Sequence, residues 1–443
     1  MPPARSGASP IPRRLGLADA AQPCILHPME ITFLRHGRSE ANEAGIWQGS
    51  RGGGRLSRHG EEQAAAVAER LAGDPPDLVI TSGLNRTNQT AAPLGLPVET
   101  DPAWEEMDLG DWDGMTYPEI VEIHGDELMD VFAGQEVRMG GTGETVLEVR
   151  ERLSVALESL QERLDDGERA LVVTHGGIIE TLARMHWKIG SLEPVFAGPL
   201  NTSLTSFRHV FGRLRLATYN DTGHLGPINE WARERVAAGD RLVTFVRHGE
   251  TDANVQHVVQ GRTDWGLNTT GREQAAALAD WYGVQESVFA SPLGRAAQTA
   301  GVIAANGVTE MDEFAELSFG SWEGKTFTEL QQGGGNSTLA DRIFRDGEDL
   351  PRGGDGETWA ELAERMNRGV EKAIAANQSD HFTVVSHGGA IRAYLLGNMG
   401  VGWPEVLDTV VPANTAVAHV VMTSTGPVLA DYAVATHLES MQT

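Results

Sequence analysis

The stretch ITFLRHGRSEAN, Ile31–Asn42, is repeated in the second half of the chain as VTFVRHGETDAN, Val243–Asn254. Each copy begins as a short, β-prone apolar run and ends in a charged turn that contains Arg-His-Gly. Repetition in this register over the whole chain predicts a duplicated domain. Four further motifs repeat in the same order: LSRHGEEQAAAVA at Leu56 with LNTTGREQAAALA at Leu267, SGLNRTNQTA at Ser82 with SPLGRAAQTA at Ser291, EEMDLGDWDG at Glu105 with AELSFGSWEG at Ala315, and LVVTHGGIIE at Leu171 with TVVSHGGAIR at Thr383.

The repeat also predicts where the domains begin and end. We expect two domains at residues 29–225 and 241–438, joined by a Gly-, Ala- and charge-rich linker at residues 226–240 with one or two helical turns. Residues 1–28 carry scattered prolines and no continuous apolar run. We therefore expect a disordered tail or an over-extended start there, with Met29 as an alternative initiator.

Strands and helices alternate within each half. The apolar runs DLVITS and ALVVTH are typical of buried strands, whereas Glu61–Leu71 and Thr145–Leu164 have helical spacing. This alternation predicts an α/β fold of two tandem three-layer α/β/α domains, each with a mostly parallel sheet covered by helices on both faces. In such folds the working residues gather at the carboxyl ends of strands, and Arg35, His36, Ser82 and His175 occupy that position.

Composition limits the partners that the chain can have. Its 443 residues include 35 basic and 62 acidic side chains, which gives a formal net charge of −27. Such a surface repels nucleic acid and anionic membranes, so neither is an expected partner. The single cysteine, Cys24, excludes internal disulfides and cysteine-rich zinc sites, which fits a reducing cytoplasm. The sequence contains no apolar stretch long enough to span a bilayer.

The repeated polar residues have the properties that phosphomonoester chemistry needs. Forked guanidiniums hold a phosphate dianion well, and phosphoryl transfer needs an in-line nucleophile and an acid for the leaving alkoxide. A neutral imidazole is a competent nucleophile, and neighbouring arginines keep it neutral. No metal or cofactor is required, because arginines and histidines supply the positive charge. Each half offers a nucleophile, two phosphate clamps, a further histidine donor, an acid and an asparagine contact to phosphate: His36, Arg35, Arg86, His175, Glu106 and Asn42, and then His248, Arg247, Arg295, His387, Glu316 and Asn254.

Together, the RHG, RxxQTA, ExxxGxW(D/E)G and HGG motifs resemble those of the histidine phosphatase superfamily, most closely its phosphoglycerate-mutase-like branch. The resemblance covers nearly the whole chain beyond the tail. It implies a three-layer α/β/α fold and a phosphohistidine intermediate on His36 and His248, with His175 and His387 as stabilising partners. The implied activity is metal-independent hydrolysis of small phosphorylated metabolites in two tandem sites, and the oligomeric state stays open.

Other activities stay open as alternatives. A phosphoglycerate mutase would return the phosphoryl group to another hydroxyl, but mutases of the family carry longer insertions after the acidic motif. The first half departs more from the pattern, because it carries Gly52–Gly54 and has Arg38 where a glutamate is frequent. It could therefore be a non-catalytic phospholigand-binding module that regulates the second half. Action on phosphoproteins is a further alternative. We expect the rim segments Ile120–Glu144 and Leu330–Gly356, the latter as a mobile cover, to set the substrate.

Overall fold

The computed structural model describes residues 28–190, 194–210, 212–332 and 335–441. Nearly all of the tail predicted for residues 1–28, with Cys24, lies outside the described residues. Among the helices of the described part, none has the length and apolarity that crossing a membrane requires.

The described residues form twelve strands, and each half contributes four parallel strands followed by an antiparallel pair. The strands are β1 Glu30–Arg35, β2 Leu78–Thr81, β3 Glu99–Thr100, β4 Arg169–Thr174, β5 Leu204–Val210, β6 Arg213–Asp221, β7 Arg241–Arg247, β8 Val288–Ala290, β9 Val308–Glu310, β10 His381–Ser386, β11 Val417–Thr423 and β12 Gly426–Val434. The strand order is β3-β2-β4-β1-β5-β6 in the first half and β12-β11-β7-β10-β8-β9 in the second. The α/β fold class with mostly parallel sheets is therefore confirmed.

The helices begin at caps that the sequence supplies. Thr145 and Thr358 accept from the backbone N–H groups of Glu148 and Glu361, whose carboxylates reach back to the capping threonines. The helices are α1 Glu40–Glu43, α2 Arg58–Leu71, α3 Asn85–Ala91, α4 Tyr117–Phe132, α5 Val146–Arg163, α6 Gly176–Trp187, α7 Glu230–Ala237, α8 Asp252–Val255, α9 Thr269–Tyr282, α10 Gly294–Ile303, α11 Phe327–Gln332, α12 Gly335–Ala340, α13 Trp359–Ala376 and α14 Gly388–Asn398.

The segment 226–240 between the halves is not a free linker. It contains helix α7, which is capped by the Asn229 side chain. Ala232 on this helix is fully buried against Leu242, Val421 and Ala430 of the second half. The helical turns that the sequence predicts are therefore present, and they pack onto the second sheet.

The two sheets meet edge to edge, which the sequence analysis did not predict. Tyr219 of β6 lies opposite Tyr432 of β12 in an antiparallel pairing, so all twelve strands form one sheet. The amide of Asn220 donates to the carbonyl of Ala430 at 2.7 Å. The indole of Trp187 donates to Thr409 Oγ1 at 3.1 Å, so a helix of the first half is anchored in the second. One hydrophobic core runs through both halves.

The rims differ in structure between the halves. The segment predicted to be a mobile cover contains α11, α12 and a π-helical turn at Asp341–Arg345, and its Ala340 and Ile343 are fully buried. It packs around Trp322, so this rim is anchored in the core. The first half has the longer helix α4 in this place, and it is kinked at His124.

Candidate active site

The predicted residues of each half lie where neighbouring parallel strands end. β1 ends at Arg35, and the next residue, His36, donates its backbone N–H to the carbonyl of Thr174 at the end of β4. His248 makes the same bond to Ser386 in the second half. The rings of His36 and His175 are 5.2 Å apart between centroids, and those of His248 and His387 are 5.1 Å apart. The two halves therefore build the same arrangement.

The candidate nucleophiles are held as neutral imidazoles of one tautomer. Nδ1 of His36 lies 2.7 Å from the carbonyl oxygen of Gly37, and Nδ1 of His248 lies 2.7 Å from that of Gly249. Because a carbonyl only accepts, Nδ1 carries the proton, and Nε2 keeps its lone pair. Burial, and then the charges of Arg35 and Arg86, lower the pKa of His36 well below 6.5. Nε2 is therefore nucleophilic at neutral pH.

The arginine of each Arg-His-Gly motif at the end of β1 or β7 has an N–H donor that no described residue accepts. Nη1 of Arg35 donates to the carbonyl of Pro199, and Nη1 of Arg247 donates to that of Pro412. In both side chains Nε is buried without a partner among the described residues. A buried N–H that lacks a partner is costly, and a bound phosphate oxygen would satisfy it.

The second arginine and the second histidine form one hydrogen-bonded unit. Arg86 donates from Nε to Nδ1 of His175 at 3.2 Å, and Nε2 of His175 lies 2.8 Å from Ser82 Oγ. Since an arginine can only donate, Nδ1 of His175 accepts, and its Nε2 carries the proton. The second half repeats this unit with Arg295, His387 and Ser291. Burial, and then the charge of Arg86, lower the pKa of His175 well below 6.5.

The glycine-rich loop Gly52–Gly54, in which the first half differs from the second, does not change how Arg86 is held. Arg86 donates from Nη2 to the carbonyl of Gly49 and from Nη1 to that of Gly52, each at 3.1 Å. Arg295 makes the matching bonds to Gly261 and Thr263. These bonds go to backbone carbonyls, so the change in side chain at the loop does not remove them.

The position of the candidate acid explains why the last residue of the HGG motif is a glycine. Glu106 accepts from the N–H groups of Met107 at 3.0 Å and of Gly177 at 3.1 Å. A Cβ on Gly177 would lie 2.6 Å from Glu106 Oε1, so only glycine lets the carboxyl group approach. Burial raises the pKa of Glu106. Glu316 accepts from the N–H groups of Leu317, Gly389 and Ala390.

Asn42 and Asn254 are less free than the sequence suggested. The side-chain oxygen of Asn42 accepts from the backbone N–H of Ser39 at 3.1 Å and closes the cap of α1. Asn254 does the same for Thr251 at the start of α8. Each asparagine therefore has its side-chain NH₂ group left for the phosphate contact that the sequence predicts.

Three pairs of positioning residues were given no role from the sequence, although Ser82 was placed at a strand end. Ser82 fixes the His175 tautomer, Thr90 Oγ1 accepts from the Gly37 N–H at 2.9 Å, and the Asn201 amide donates to the His36 carbonyl at 2.9 Å. Ser291, Thr299 and Asn414 make the same contacts in the second half. Because these residues recur at equivalent positions in both halves of the sequence, the repeat could have identified them.

A cavity of about 460 Å³ opens from the first site. Arg35, His36, Asn42 and Glu106 line its polar end. Within the described ranges no cluster of three or more His, Cys, Asp or Glu side chains is arranged to hold a metal ion.

Comparison with known proteins identifies the family of the chain. The sequence model of the histidine phosphatase superfamily, branch 1, matches residues 31–222 and 243–435. The chain belongs to this superfamily. Among the relatives of this histidine phosphatase, an uncharacterized phosphatase of Bacillus subtilis, PhoE, is 34% identical over 172 residues, which are 38% of this chain and 81% of the relative. A metal-independent phosphoserine phosphatase of Arabidopsis thaliana is 33% identical over 175 residues, 38% of this chain and 73% of the relative. A solved mycobacterial glucosyl-3-phosphoglycerate phosphatase is 29% identical, covers 42% of this chain and 96% of its own, and has a TM-score of 0.37.

Proposed function

We propose that this histidine phosphatase hydrolyses small phosphomonoesters through a phosphohistidine intermediate in two tandem sites. The observation that carries the proposal is the state of His36 and His248. Each is a buried neutral imidazole whose Nδ1 proton is bound by a carbonyl, so the lone pair of Nε2 stays free beside an arginine with an unpartnered Nε. Such an imidazole can attack a phosphate that the guanidinium holds.

The reaction needs two displacements at phosphorus. In the first, the lone pair of His36 Nε2 attacks, the bond from phosphorus to the ester oxygen breaks, and Glu106 gives its proton to the leaving alkoxide. In the second, the Glu106 carboxylate takes a proton from water, and the water oxygen attacks phosphorus and displaces the imidazole. Phosphate then leaves, and Glu106 is protonated as before. The raised pKa of Glu106 supports its role as the acid.

The arginines supply the charge that a phosphoryl group needs as it is transferred. Arg35 offers Nε, and Arg86 is held with its fork fixed by two carbonyls and by His175. Fixed donors cost no reorganisation when charge develops, so they stabilise the transition state more than mobile ones. This supply of positive charge, and the name of the Arabidopsis relative, support a metal-independent reaction. The single cysteine supports a reducing cytoplasm as its place.

The repeated geometry supports catalysis in both halves over a purely regulatory first half. The loop at Gly52 still gives Arg86 its carbonyl, and the first half keeps its nucleophile, acid and arginines.

The short units support hydrolysis over a mutase reaction. In a mutase, the phosphohistidine would return its phosphoryl group to the substrate, and activity would depend on 2,3-bisphosphoglycerate.

Steady-state phosphate release tests this proposal on a phosphomonoester panel. The chains compared are the wild type, His36→Ala, His248→Ala and the double variant, without added 2,3-bisphosphoglycerate. His59→Ala is the control, because His59 lies in a further Arg-His-Gly, in the first turn of α2, and is half exposed. We expect each single variant to keep turnover on part of the panel and the double variant to lose it all.

Two results would contradict the proposal. If His248→Ala alone abolishes all turnover, the first half is a binding or regulatory module. If the wild type turns over only when 2,3-bisphosphoglycerate is added, the mutase reaction is the better account.

A further inference from the structure

We propose that the two sites divide phosphomonoesters by the alcohol they carry. The first site takes an uncharged, apolar alcohol, and the second takes an alcohol with a second anionic group, such as a carboxylate. This inference rests on the proposed function, because it assigns the substrate class of each site. It is carried by the side chains that line the space beside each nucleophile.

The first site continues into an apolar cavity. Its volume of about 460 Å³ falls in the range of small-molecule sites. Beyond the polar end, the lining is dominated by hydrophobic side chains from the segment after β1, from α4 and from the turn before α5. They include Trp47, Leu128, Phe132, Met139 and Val146. Arg184 also lines the cavity, and it is paired with Glu180. An apolar alcohol would bury its surface here, whereas a carboxylate would lose its water and compete with Glu180 for this guanidinium.

The corresponding positions of the second half are identified by sequence and by backbone. MGGTGET, Met139–Thr145, matches RGGDGET, Arg352–Thr358. Both segments begin with a 3₁₀ turn whose second residue, Gly140 or Gly353, is left-handed, with φ of 54° and 66°. Position 139 is therefore equivalent to position 352, and Val146 is equivalent to Trp359.

Larger and charged side chains occupy these positions in the second half. The Arg352 guanidinium lies 4.2 Å from the ring centroid of Trp403, and the rings of Trp359 and Trp403 are 5.9 Å apart. Phe344 of the anchored rim packs on the same tryptophan at 5.8 Å. At the positions equivalent to Met139 and Val146 of the first cavity, the second half thus places a guanidinium and an indole.

The charge on the helix that follows the HGG motif, α6 or α14, also differs between the halves. In the first half Glu180 pairs with Arg184 at 2.8 Å on α6, which leaves this wall without net charge. The equivalent positions on α14 are Arg392 and Leu396. Arg392 donates to the carbonyl of Thr409 at 2.8 Å and, among the described residues, forms no ion pair with a carboxylate.

The second half contains two buried guanidinium nitrogens that are open to an anionic group. Nε of Arg392 and Nη2 of Arg352 are buried and have no hydrogen-bond partner among the described residues. Asp349 pairs with Nη1 of Arg352 and leaves Nη2 open. A Cβ on Gly388 would lie 3.5 Å from Arg247 Nε, and one on Gly389 would lie 2.5 Å from Glu316 Oε1, so α14, which carries Arg392, borders the second site. An anionic group on the alcohol would satisfy these donors.

Three esters of primary alcohols test the division: 2-phenylethyl phosphate, 3-phosphoglycerate and glycerol 3-phosphate. The last is close in size to 3-phosphoglycerate and lacks its carboxylate. The full chain is used with one nucleophile removed at a time. In His248→Ala, which keeps the first site, we expect kcat/KM for 2-phenylethyl phosphate to exceed that for glycerol 3-phosphate by about tenfold or more. In His36→Ala we expect 3-phosphoglycerate to exceed glycerol 3-phosphate by about tenfold or more.

Single substitutions then test the residues named. In the His248→Ala chain, Val146→Trp should lower kcat/KM for 2-phenylethyl phosphate about tenfold and leave glycerol 3-phosphate little changed. Leu147→Trp is the matched control, because Leu147 is the next residue and is exposed. In the His36→Ala chain, Arg392→Gln should lower kcat/KM for 3-phosphoglycerate about tenfold. Arg368→Gln, an exposed arginine on α13, is its control. Val146→Phe replaces Val146→Trp if the latter lowers Tm.

The outcomes separate this inference from the proposed function. If both single-site chains release phosphate from all three esters with the same preference, the division is wrong and the proposed function stands. If neither chain releases phosphate from any ester, both fail. Opposite preferences that Val146→Trp and Arg392→Gln do not alter would show that other residues set the specificity, and would overturn the assignment made here.

Discussion

Nε of Arg86 lies 3.2 Å from Nδ1 of His175, and this one contact fixes the protonation of both side chains. The arginine is always charged and can only donate, so the histidine is neutral and carries its proton on Nε2, towards Ser82. Burial, with the charge of Arg86, lowers the pKa of His175 far enough to maintain this state. His175 therefore positions the guanidinium of Arg86.

Replacing Arg86 by lysine should disable the first site. A lysine ammonium cannot bind His175 and the carbonyls of Gly49 and Gly52 with the planar fork that Arg86 uses. In the His248→Ala chain we expect Arg86→Lys to lower kcat by about 100-fold or more. Arg58→Lys is the control, because Arg58 is almost fully exposed on α2. A loss below about threefold in Arg86→Lys would contradict this role of the fork.

Glu106→Gln should matter most for substrates with poor leaving groups. An alkyl alkoxide needs a proton as it leaves, whereas p-nitrophenolate does not. In the His248→Ala chain, Glu106→Gln should slow glycerol 3-phosphate about 100-fold and p-nitrophenyl phosphate far less. Equal losses on both substrates would mean that Glu106 does not act as the acid.

The pH profile of the first site follows from two shifted groups. Burial raises the pKa of Glu106 above 4.5, and the acid form is the active one, so the rate should fall as pH rises through that pKa. Burial and the arginines lower the pKa of His36 well below 6.5, so loss of the nucleophile by protonation should occur only well below pH 6.5. Glu106→Gln should remove the alkaline limb of kcat against pH and keep the acid limb. A limb near pH 6.5 that a His175 variant moves would contradict this order.

The two halves should unfold together. They share one sheet and one core, and Trp187 is buried beside Phe196 and Tyr219 while it donates to Thr409 of the other half. Calorimetry should give one transition, and Trp187→Ala should lower the free energy of unfolding by about 3–5 kcal/mol. Val155→Ala, at an exposed position on α5, should change it by less than about 0.5 kcal/mol. Two transitions in the wild-type chain would show that the halves are independent.

Chelation tests the metal-independent reaction. Arginines and a glutamic acid supply the charge and the proton in the proposed mechanism, so dialysis against EDTA should leave kcat/KM unchanged at both sites. The measurement is made on each single-site chain. A loss that Mg²⁺ or Zn²⁺ restores would mean that a metal takes part.

The sequence predicts the parts of this molecule that depend on local pattern. Apolar runs that end in Arg-His-Gly and His-Gly-Gly gave strands whose carboxyl ends adjoin, and the structure brings Arg35, His36, Arg86, Glu106 and His175 to one place. Parallel strands oblige residues at their carboxyl ends to converge, so chain order and strand ends were sufficient for Arg35, His36 and His175. Arg86 and Glu106 lie outside the strand ends, and the repeated motifs and the family resemblance identified them.

Features that depend on packing between distant segments could not be predicted in this way. β6 and β12 carry no motif, and the pairing of Tyr219 with Tyr432 depends on how two twisted sheet edges meet. The rims differ because helices α11 and α12 and a π-helical turn stand where the first half has α4, and what these segments pack against cannot be read from local pattern. Met139 and Arg352 occupy the same position of the motifs MGGTGET and RGGDGET, but the consequence of the change is visible only beside Trp403.

The central claim is that His36 and His248 each carry a phosphoryl group during turnover. The most direct test is to mix the single-site chains with radiolabelled phosphomonoester, quench them in alkali, where a phosphohistidine survives, and map the label by peptide. We expect an acid-labile label on His36 in the His248→Ala chain, on His248 in the His36→Ala chain, and on neither position in the double variant. A label on another residue, or turnover that persists in the double variant, would contradict the account.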